Sequence, residues 1–333
     1  MARVVCLLFL LLSLVGCSSP ATAAPAIPVR AAGVAATGDV RLWEDASIFQ
    51  LVSRLIGSAQ KRVLVEMYEL GRADIVRSLG DARARGVSVR VITDPTVTAS
   101  RKSAAQLEAL GVAERVYPVD DSRHQIDHVK MLVADGEAAV GGMNWGKHSD
   151  RNHDYVLEIK DASEVDRVSM IFDQDWSLAG GRPKPLPPFA GPISQTTPGG
   201  EIRSVLEGEL ARATHRVFAE IYTLTDASVL AELVMAHRRG AIVRVLLDPN
   251  QVYNVHAYTV LRAGGVEARW YPIPRGALLH AKIGLFDGDL VLGSANWTLS
   301  GLGVNHELDV ETADRDAVQA YVSRFDSDWT RSG

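Results

Sequence analysis

Two segments of this chain carry residues suited to acid–base and nucleophilic chemistry: HVKMLVAD (128–135) and HAKIGLFD (280–287). In each, a histidine stands two positions before a lysine, so on a β-strand the imidazole and the ammonium share one face. Downstream, GGMNW (141–145) and GSANW (293–297) add Asn144 and Asn296 as hydrogen-bond donors. An imidazole beside an ammonium on an otherwise apolar strand is costly unless something anionic binds there. One such pair would fit a solvated edge strand. Two pairs at matched positions, each followed by a matched asparagine, point instead to a site built for an anion. Histidine titrates near neutral pH, so one ring can attack while another donates a proton.

The elements that position these residues follow from an internal repeat. RVLVEMYEL (62–70) aligns with RVFAEIYTL (216–224) at an offset of 154, with five of nine positions identical. Asp94-Pro95 then meets Asp248-Pro249, and Tyr117-Pro118 meets Tyr271-Pro272. The two motif segments match at 152, Asn152-His153-Asp154 meets Asn305-His306-Glu307 at 153, and FDQDW (172–176) meets FDSDW (325–329). Matches in one order along both halves mean two copies of one domain, placed at 38–180 and 199–333. The stretch 181–198 between them is rich in proline and reads as a linker or covering loop.

Within each copy, helical and strand periods alternate. Ile48, Leu51, Val52, Leu55 and Ile56 lie on one helical face, with Asp45 or Ser47 available as N-cap. A buried strand over 63–67, a helix over 72–85 closed by Gly86, and a strand through Val87, Val89 and Val91 follow. The second copy repeats this as helix 201–214, strand 217–222, helix 227–238 and strand 241–247. Alternation of this kind predicts an α/β fold, each copy an α-β-α sandwich. Asp135-Gly136 and Asp287-Gly288 predict tight hairpins, because Asp-Gly suits the primed turns that match strand twist.

The paired His-x-Lys-x4-Asp motifs with their downstream GGMN and GSAN resemble the phospholipase D superfamily, over residues 40–330. The resemblance implies a phosphodiester-cleaving site shared by two similar α/β halves about a pseudo-two-fold axis. One histidine attacks phosphorus to give a phosphohistidine, the other protonates the leaving alcohol, and no metal or other cofactor is required. In that scheme Lys130 and Lys282 neutralise the non-bridging oxygens, while Asn144 and Asn296 donate hydrogen bonds to them. Two near-symmetric histidines leave the order of attack open; His128 as nucleophile and His280 as acid follows the two-motif phospholipases. A site closed by the two repeats of one chain has the geometry of a homodimer interface, so a monomer suffices.

Asp154 and Glu307 are candidates to hold the other ring nitrogen of each histidine, a role the resemblance also gives them. Their unequal reach leaves the pairing open. Asp135 and Asp287 can support the site, although each opens an Asp-Gly turn and turn formation alone accounts for it. His124 and His128 are four apart, as metal ligands on a helix would be, but the segment leads into a strand. His148, His153 and His306 neighbour the motifs and could touch substrate, but none has a clear role. Tyr68 and Tyr222 line the pocket or pack. Trp145, Trp297, Trp176 and Trp329 recur with the repeat and fit packing.

For the substrate, GGMN resembles the cardiolipin synthase and phospholipase D branches, which implies a phospholipid at a membrane surface, either hydrolysed or transferred. Leu278-Leu279 and PLPPF (185–189) are then candidates for acyl contacts. The alternative is nucleic acid: GSANWTLSG (293–301) resembles the nuclease branch, and Arg101, Lys102, Arg123, Lys147 and Arg151 would supply a basic track. Against it stand 35 Lys and Arg residues and 40 Asp and Glu, a net charge of −5.

At the N-terminus, Arg3 precedes an apolar run from Val4 to Val15, too short to span a bilayer, which needs ~20 residues. Leu14-Val15-Gly16-Cys17 resembles a bacterial lipobox, implying a signal peptide over 1–16, lipidation of Cys17 and a flexible tether over 17–37. The protein is thus expected to be exported and held on the cell envelope. A plain secretory signal cut after Ala23 is the alternative. The two cysteines, Cys6 and Cys17, both fall in this region, so the folded part has no disulfide, thiolate zinc site or cysteine nucleophile.

Overall fold

The computed structural model describes residues 39–187 and 191–332. The signal, Cys17 and the whole tether lie outside them. In the first repeat the elements run β1 (Val40–Glu44), α1 (Ser47–Ser58), β2 (Arg62–Met67), α2 (Ala73–Ala84), β3 (Ser88–Thr93), α3 (Thr98–Ala109), β4 (Ala113–Val116), β5 (Lys130–Ala134), β6 (Glu137–Gly141), β7 (Tyr155–Ile159) and α4 (Ala162–Ala179). In the second they run β8 (Ile193–Gln195), α5 (Glu201–Arg212), β9 (Arg216–Ile221), α6 (Ala227–Arg238), β10 (Ile242–Leu247), α7 (Asn254–Ala263), β11 (Glu267–Trp270), β12 (Lys282–Phe286), β13 (Asp289–Gly293), α8 (Leu299–Gly303), β14 (Leu308–Thr312) and α9 (Arg315–Arg331).

The two seven-stranded sheets have the same order, β1-β7-β6-β5-β2-β3-β4 and β8-β14-β13-β12-β9-β10-β11. Strands joined by helices pair in parallel, β2 with β3 and β3 with β4, whereas the hairpin strands β5, β6 and β7 run antiparallel. That division follows the chain: a parallel pair needs a crossover helix, an antiparallel one only a tight turn. The expected α/β sandwich is present twice. Part of the proline-rich connection is itself sheet, because Ile193–Gln195 pairs with β14 and Ile193 is fully buried.

Each outer sheet face carries its own apolar cluster, α1 and α2 on the first sheet and α5 and α6 on the second. A third cluster is common to both halves. It joins Leu64, Val133, Leu157 and Phe172 to Phe218, Ile283, Leu285 and Phe325. Burying apolar surface contributes about 25 cal/mol per Å², so this shared core fixes the halves against one another. It also absorbs two residues expected to touch acyl chains: Leu279 is fully buried in the cluster, and Leu186 packs against it. Among the described residues no helix is long and apolar enough to cross a membrane.

Helix α1 starts at Ser47, but neither expected side chain caps it; the Ser47 hydroxyl donates back to Glu44 O. Asp45 is occupied elsewhere, against His153 at 2.6 Å.

Candidate active site

Both histidine–lysine pairs sit where a central strand begins. Lys130 and Lys282 open β5 and β12, paired with Met67 on β2 and Ile221 on β9. All four side chains are at least nine-tenths buried. Just upstream, Asp94 Oδ2 accepts from Asp127 N and Asp248 Oδ2 from Leu279 N, each at 2.7 Å. The two Asp-Pro strand ends thereby clamp the backbone immediately before each histidine.

The repeats exchange a short segment at this point. His306 O accepts from His128 N at 2.8 Å, and His306 N donates to Ile126 O at 2.9 Å. In mirror fashion His153 O accepts from His280 N and His153 N donates to Leu278 O, both at 2.8 Å. These bridges carry the residue after each exchanged histidine onto the ring of the opposite repeat. His128 Nδ1 bonds to Glu307 Oε2 at 2.8 Å, and His280 Nδ1 bonds to Asp154 Oδ2 at 2.7 Å. The two candidates from the sequence therefore do hold the histidines, but crosswise.

The unequal lengths of Asp154 and Glu307 are matched by their surroundings. At Gly142 a Cβ would fall 2.2 Å from Asp154 Oδ1. Its counterpart is Ser294, whose hydroxyl donates to Glu307 Oε2 at 2.6 Å. Asn305 Nδ2 completes the Glu307 shell at 3.0 Å. The GG and GS variants of the two loops are thus each fitted to one carboxylate.

With Nδ1 of each histidine held by a carboxylate, Nε2 is the nitrogen placed for chemistry, and His280 Nε2 lies 3.1 Å from Lys282 Nζ. Burial, then Lys130 and Lys282, hold His128 well below the usual histidine range. Burial and Lys282 lower His280 to about 4, with Asp154 opposing. Burial also lowers Lys130 to about 7 and Lys282 to about 8, resisted by Glu307 and Asp154. Glu307 is raised to about 7 by burial, against the pull of Lys130. Burial therefore disfavours every cation of the site, as expected of a pocket that takes an anion.

Aromatic faces complete the walls. Tyr68 contacts His128 at 4.8 Å between centroids and Tyr222 contacts His280 at 4.7 Å, with each lysine 5.1 Å from the matching tyrosine. Asn144 and Asn296, at the ends of β6 and β13, each hold an Oδ1 that is buried without a partner in the protein. Trp145 and Trp297 are core residues, as their recurrence suggested.

Other expected residues lie elsewhere. Asp135 and Asp287 sit five residues beyond the lysines, about 16 Å along a strand at ~3.3 Å per residue. Asp135 takes up the backbone N–H groups of Gln60, Lys61 and Arg62, and Asp287 those of Thr214, His215 and Arg216, all at 2.8–3.0 Å. Both adopt positive φ, 51° and 54°, as the turn requires. They lock the hairpins and do not reach the site. His124 is exposed on a left-handed turn, pointing to no shared ligand set with the buried His128.

His153 and His306 are not substrate contacts either. Each is buried among acids of the opposite repeat, a role the sequence reading missed. His306 Nε2 lies 3.1 Å from Asp175 Oδ2 and 3.6 Å from Glu66 Oε1, and its ring stacks on Tyr117. His153 Nε2 lies 3.1 Å from Glu220 Oε2 and 3.4 Å from Asp328 Oδ2, and its ring stacks on Tyr271. Burial alone would lower both rings; Glu220 and Asp45 bring His153 up to about 10, and Asp175 and Asp127 bring His306 to about 9. The signal was present in the repeat: Glu66 and Glu220 are identical acids inside apolar strands, and Asp175 and Asp328 recur in the FDxDW blocks. These two groups also offer three metal-donor atoms apiece within 4.8 Å, although the same atoms already serve the ion pairs.

The family described as "Cardiolipin synthase, PLD-like domain" matches residues 52–176 and again 206–329. Among curated proteins, the probable cardiolipin synthase YwiE of Bacillus subtilis is 24% identical over 327 residues, covering 85% of this chain and 64% of the relative. The mitochondrial cardiolipin hydrolase of Xenopus tropicalis is 32% identical over 123 residues, covering 36% of this chain and 57% of its own length. The chain thus spans somewhat under two thirds of these relatives. Among solved structures, the phosphatidylserine synthase of Haemophilus influenzae superposes with a TM-score of 0.70 at 13% identity, covering 89% of this chain and 87% of the other. At that identity the likeness speaks for the fold.

Proposed function

Because the chain belongs to the phospholipase D-like family, with the domain present twice, we propose that it cleaves or transfers the phosphatidyl group of phospholipids through a phosphohistidine. The observation that carries this reading is the crosswise pairing of His128 with Glu307 and His280 with Asp154 in one buried, lysine-lined site. The likeness to a probable cardiolipin synthase and a cardiolipin hydrolase favours a phospholipid as the diester.

The chemistry follows from the placement of the groups. His128 Nε2 attacks phosphorus, and the bond from phosphorus to the leaving alcohol breaks. That alcohol's oxygen takes the proton from His280 Nε2, whose imidazolium the bound phosphate charge favours. Water or a second alcohol then attacks phosphorus and gives its proton to His280 as the P–N bond breaks. Lys130 and Lys282 offset the charge on the non-bridging oxygens throughout. Glu307 and Asp154 stabilise imidazolium at Nδ1 and keep each ring in register.

Purified protein incubated with cardiolipin, phosphatidylglycerol and phosphatidylcholine is expected to release alcohol from at least one lipid, equally with and without chelator. Added ethanol should be captured as phosphatidylethanol if transfer competes with hydrolysis. Degradation of single-stranded DNA with no lipid turned over would overturn the reading.

We also propose export and lipid attachment at Cys17, on the lipobox-like LVGC (14–17). Radioactive fatty acid should label the chain in cells, and Cys17→Ser should abolish the label; persistent labelling would refute the attachment.

A further inference from the structure

The mouth of the site is framed by matched loops whose surfaces differ between the repeats. The loop after β3 leads into α3, where Ser100 Oγ accepts from Leu70 N and donates to Tyr68 O, at 3.0 and 2.7 Å. Its counterpart is Asn254, which accepts from Leu224 N at 2.9 Å and donates to Tyr222 O at 2.8 Å. Since Tyr68 and Tyr222 touch the two motif histidines, these loops are tied directly to the reacting groups. Beside them run the segments after Asn144 and Asn296, docked through Trp145 O on Gly71 N and Trp297 O on Thr225 N.

On the first rim Thr98, Arg101, Lys102 and Lys147 are among the exposed positions. Arg101 is steadied by neutral oxygens of Pro95 and Thr98; of the two acids nearby, Asp150 faces Arg72 at 3.9 Å and Glu69 lies against Gly146, leaving the rim with three cations to one free acid. On the second rim the counterparts of Thr98, Arg101 and Lys147 are Val252, Val255 and Leu299, with Tyr253 between the valines. These four are 72%, 55%, 71% and 67% exposed, the highest values of any large hydrophobic residue among those described. One rim is therefore cationic and the other apolar, around one buried anion site. Unpaired apolar side chains concentrated at a mouth mark a contact surface, and Tyr between aliphatics suits the headgroup boundary of a bilayer.

We infer that the mouth docks on an anionic phospholipid surface, the second rim (Val252, Tyr253, Val255, Leu299) entering the acyl boundary while Arg101, Lys102 and Lys147 engage headgroup phosphates. The inference rests on the phosphatidyl reading above. It explains the asymmetry of an otherwise two-fold frame, because a phospholipid is itself polar on one side of its phosphate and apolar on the other.

The test compares two physical states of one lipid with the full chain. Val252→Asp/Val255→Asp should lower turnover of phosphatidylglycerol vesicles at least about tenfold, yet leave turnover of monomeric dibutyryl phosphatidylglycerol unchanged. Arg101→Glu/Lys102→Glu should lower the vesicle rate and make it less sensitive to salt. Equal loss on both substrates, or no loss on vesicles, would overturn docking. So would a wild-type dimer that the aspartates split while the vesicle rate stays constant. Separately, Tyr253→Trp should give blue-shifted emission on vesicles, quenched by brominated acyl chains beyond the wild-type level; no added quenching would overturn insertion. That optical arm needs no turnover, so inactivity toward every lipid, with quenching observed, would sink the phosphatidyl reading and leave docking standing.

Discussion

His128→Asn and His280→Asn are each expected to reduce steady-state turnover of phospholipid by about 10⁴-fold or more, since paired catalytic groups act as a unit. They should fail differently. With a p-nitrophenyl phosphodiester the leaving group needs no proton, so general-acid help, ordinarily worth roughly 10²–10⁴, becomes dispensable in the first step. The His280 variant should then release one equivalent of nitrophenolate in a burst and stop. It lacks the base that activates water, so phosphate stays on His128. The His128 variant should show no burst. Acid-labile phosphate found on His280 in the His128 variant would exchange the two roles. Absence of any phosphoenzyme from both variants and from wild type would refute covalent catalysis.

His306→Ala is expected to destabilise the fold by about 3–5 kcal/mol, the usual result of stripping a buried charge from its partner. Glu66 and Asp175 face this ring, and Asp127 adds a third fully buried carboxyl beside them. Burial, then Asp127 and Asp175, raise Glu66 well above the usual range, and neither of its oxygens has a hydrogen-bond partner. His153→Ala should cost less. There Arg324 stays beside Asp45 and Asp328, at 3.0 and 2.9 Å, and Asp127 is replaced by Leu279. Urea unfolding of the two variants measures the difference; equal losses would refute the assigned asymmetry.

The same group makes stability depend on pH. The pKa of His306 rises from 6.5 to about 9 on folding, so the folded state binds the proton more tightly. Its stabilisation is complete below about pH 6.5 and is lost as pH climbs to 9. The loss is roughly 3 kcal/mol at about 1.4 kcal/mol per pKa unit. The stability advantage of wild type over His306→Gln in urea should therefore shrink between pH 6.5 and 9.5, a comparison in which the opposing titration of Lys130 and Lys282 cancels; an advantage that grows with pH would contradict the charge assigned to the ring.

Much of this molecule was legible in its residues. Periodicity located the helices over 201–212 and 227–238 to within a few residues, and the duplicated blocks required two copies of one α/β domain. Asp-Gly at 135 and 287 gave the hairpins, because the turn chemistry is local. The site-forming residue types were equally visible, since two histidines, two lysines and two asparagines recurred in register.

What the sequence could not supply was anything decided by contact between the halves. Asp154 and Glu307 were evident as candidates, yet only the exchanged bridges at His153 and His306 determine that each serves the other repeat's histidine. The same bridges give His153 and His306, which had no clear role in the sequence, their place in buried ion pairs. The sequence by itself determined the repeat, the secondary structure and the inventory of reactive groups, all of which depend on short-range order along the chain. Tertiary structure alone decided the pairing, the charge states and the two unlike rims. Those depend on which side chains residues some 150 positions apart present to one another once water is excluded between them.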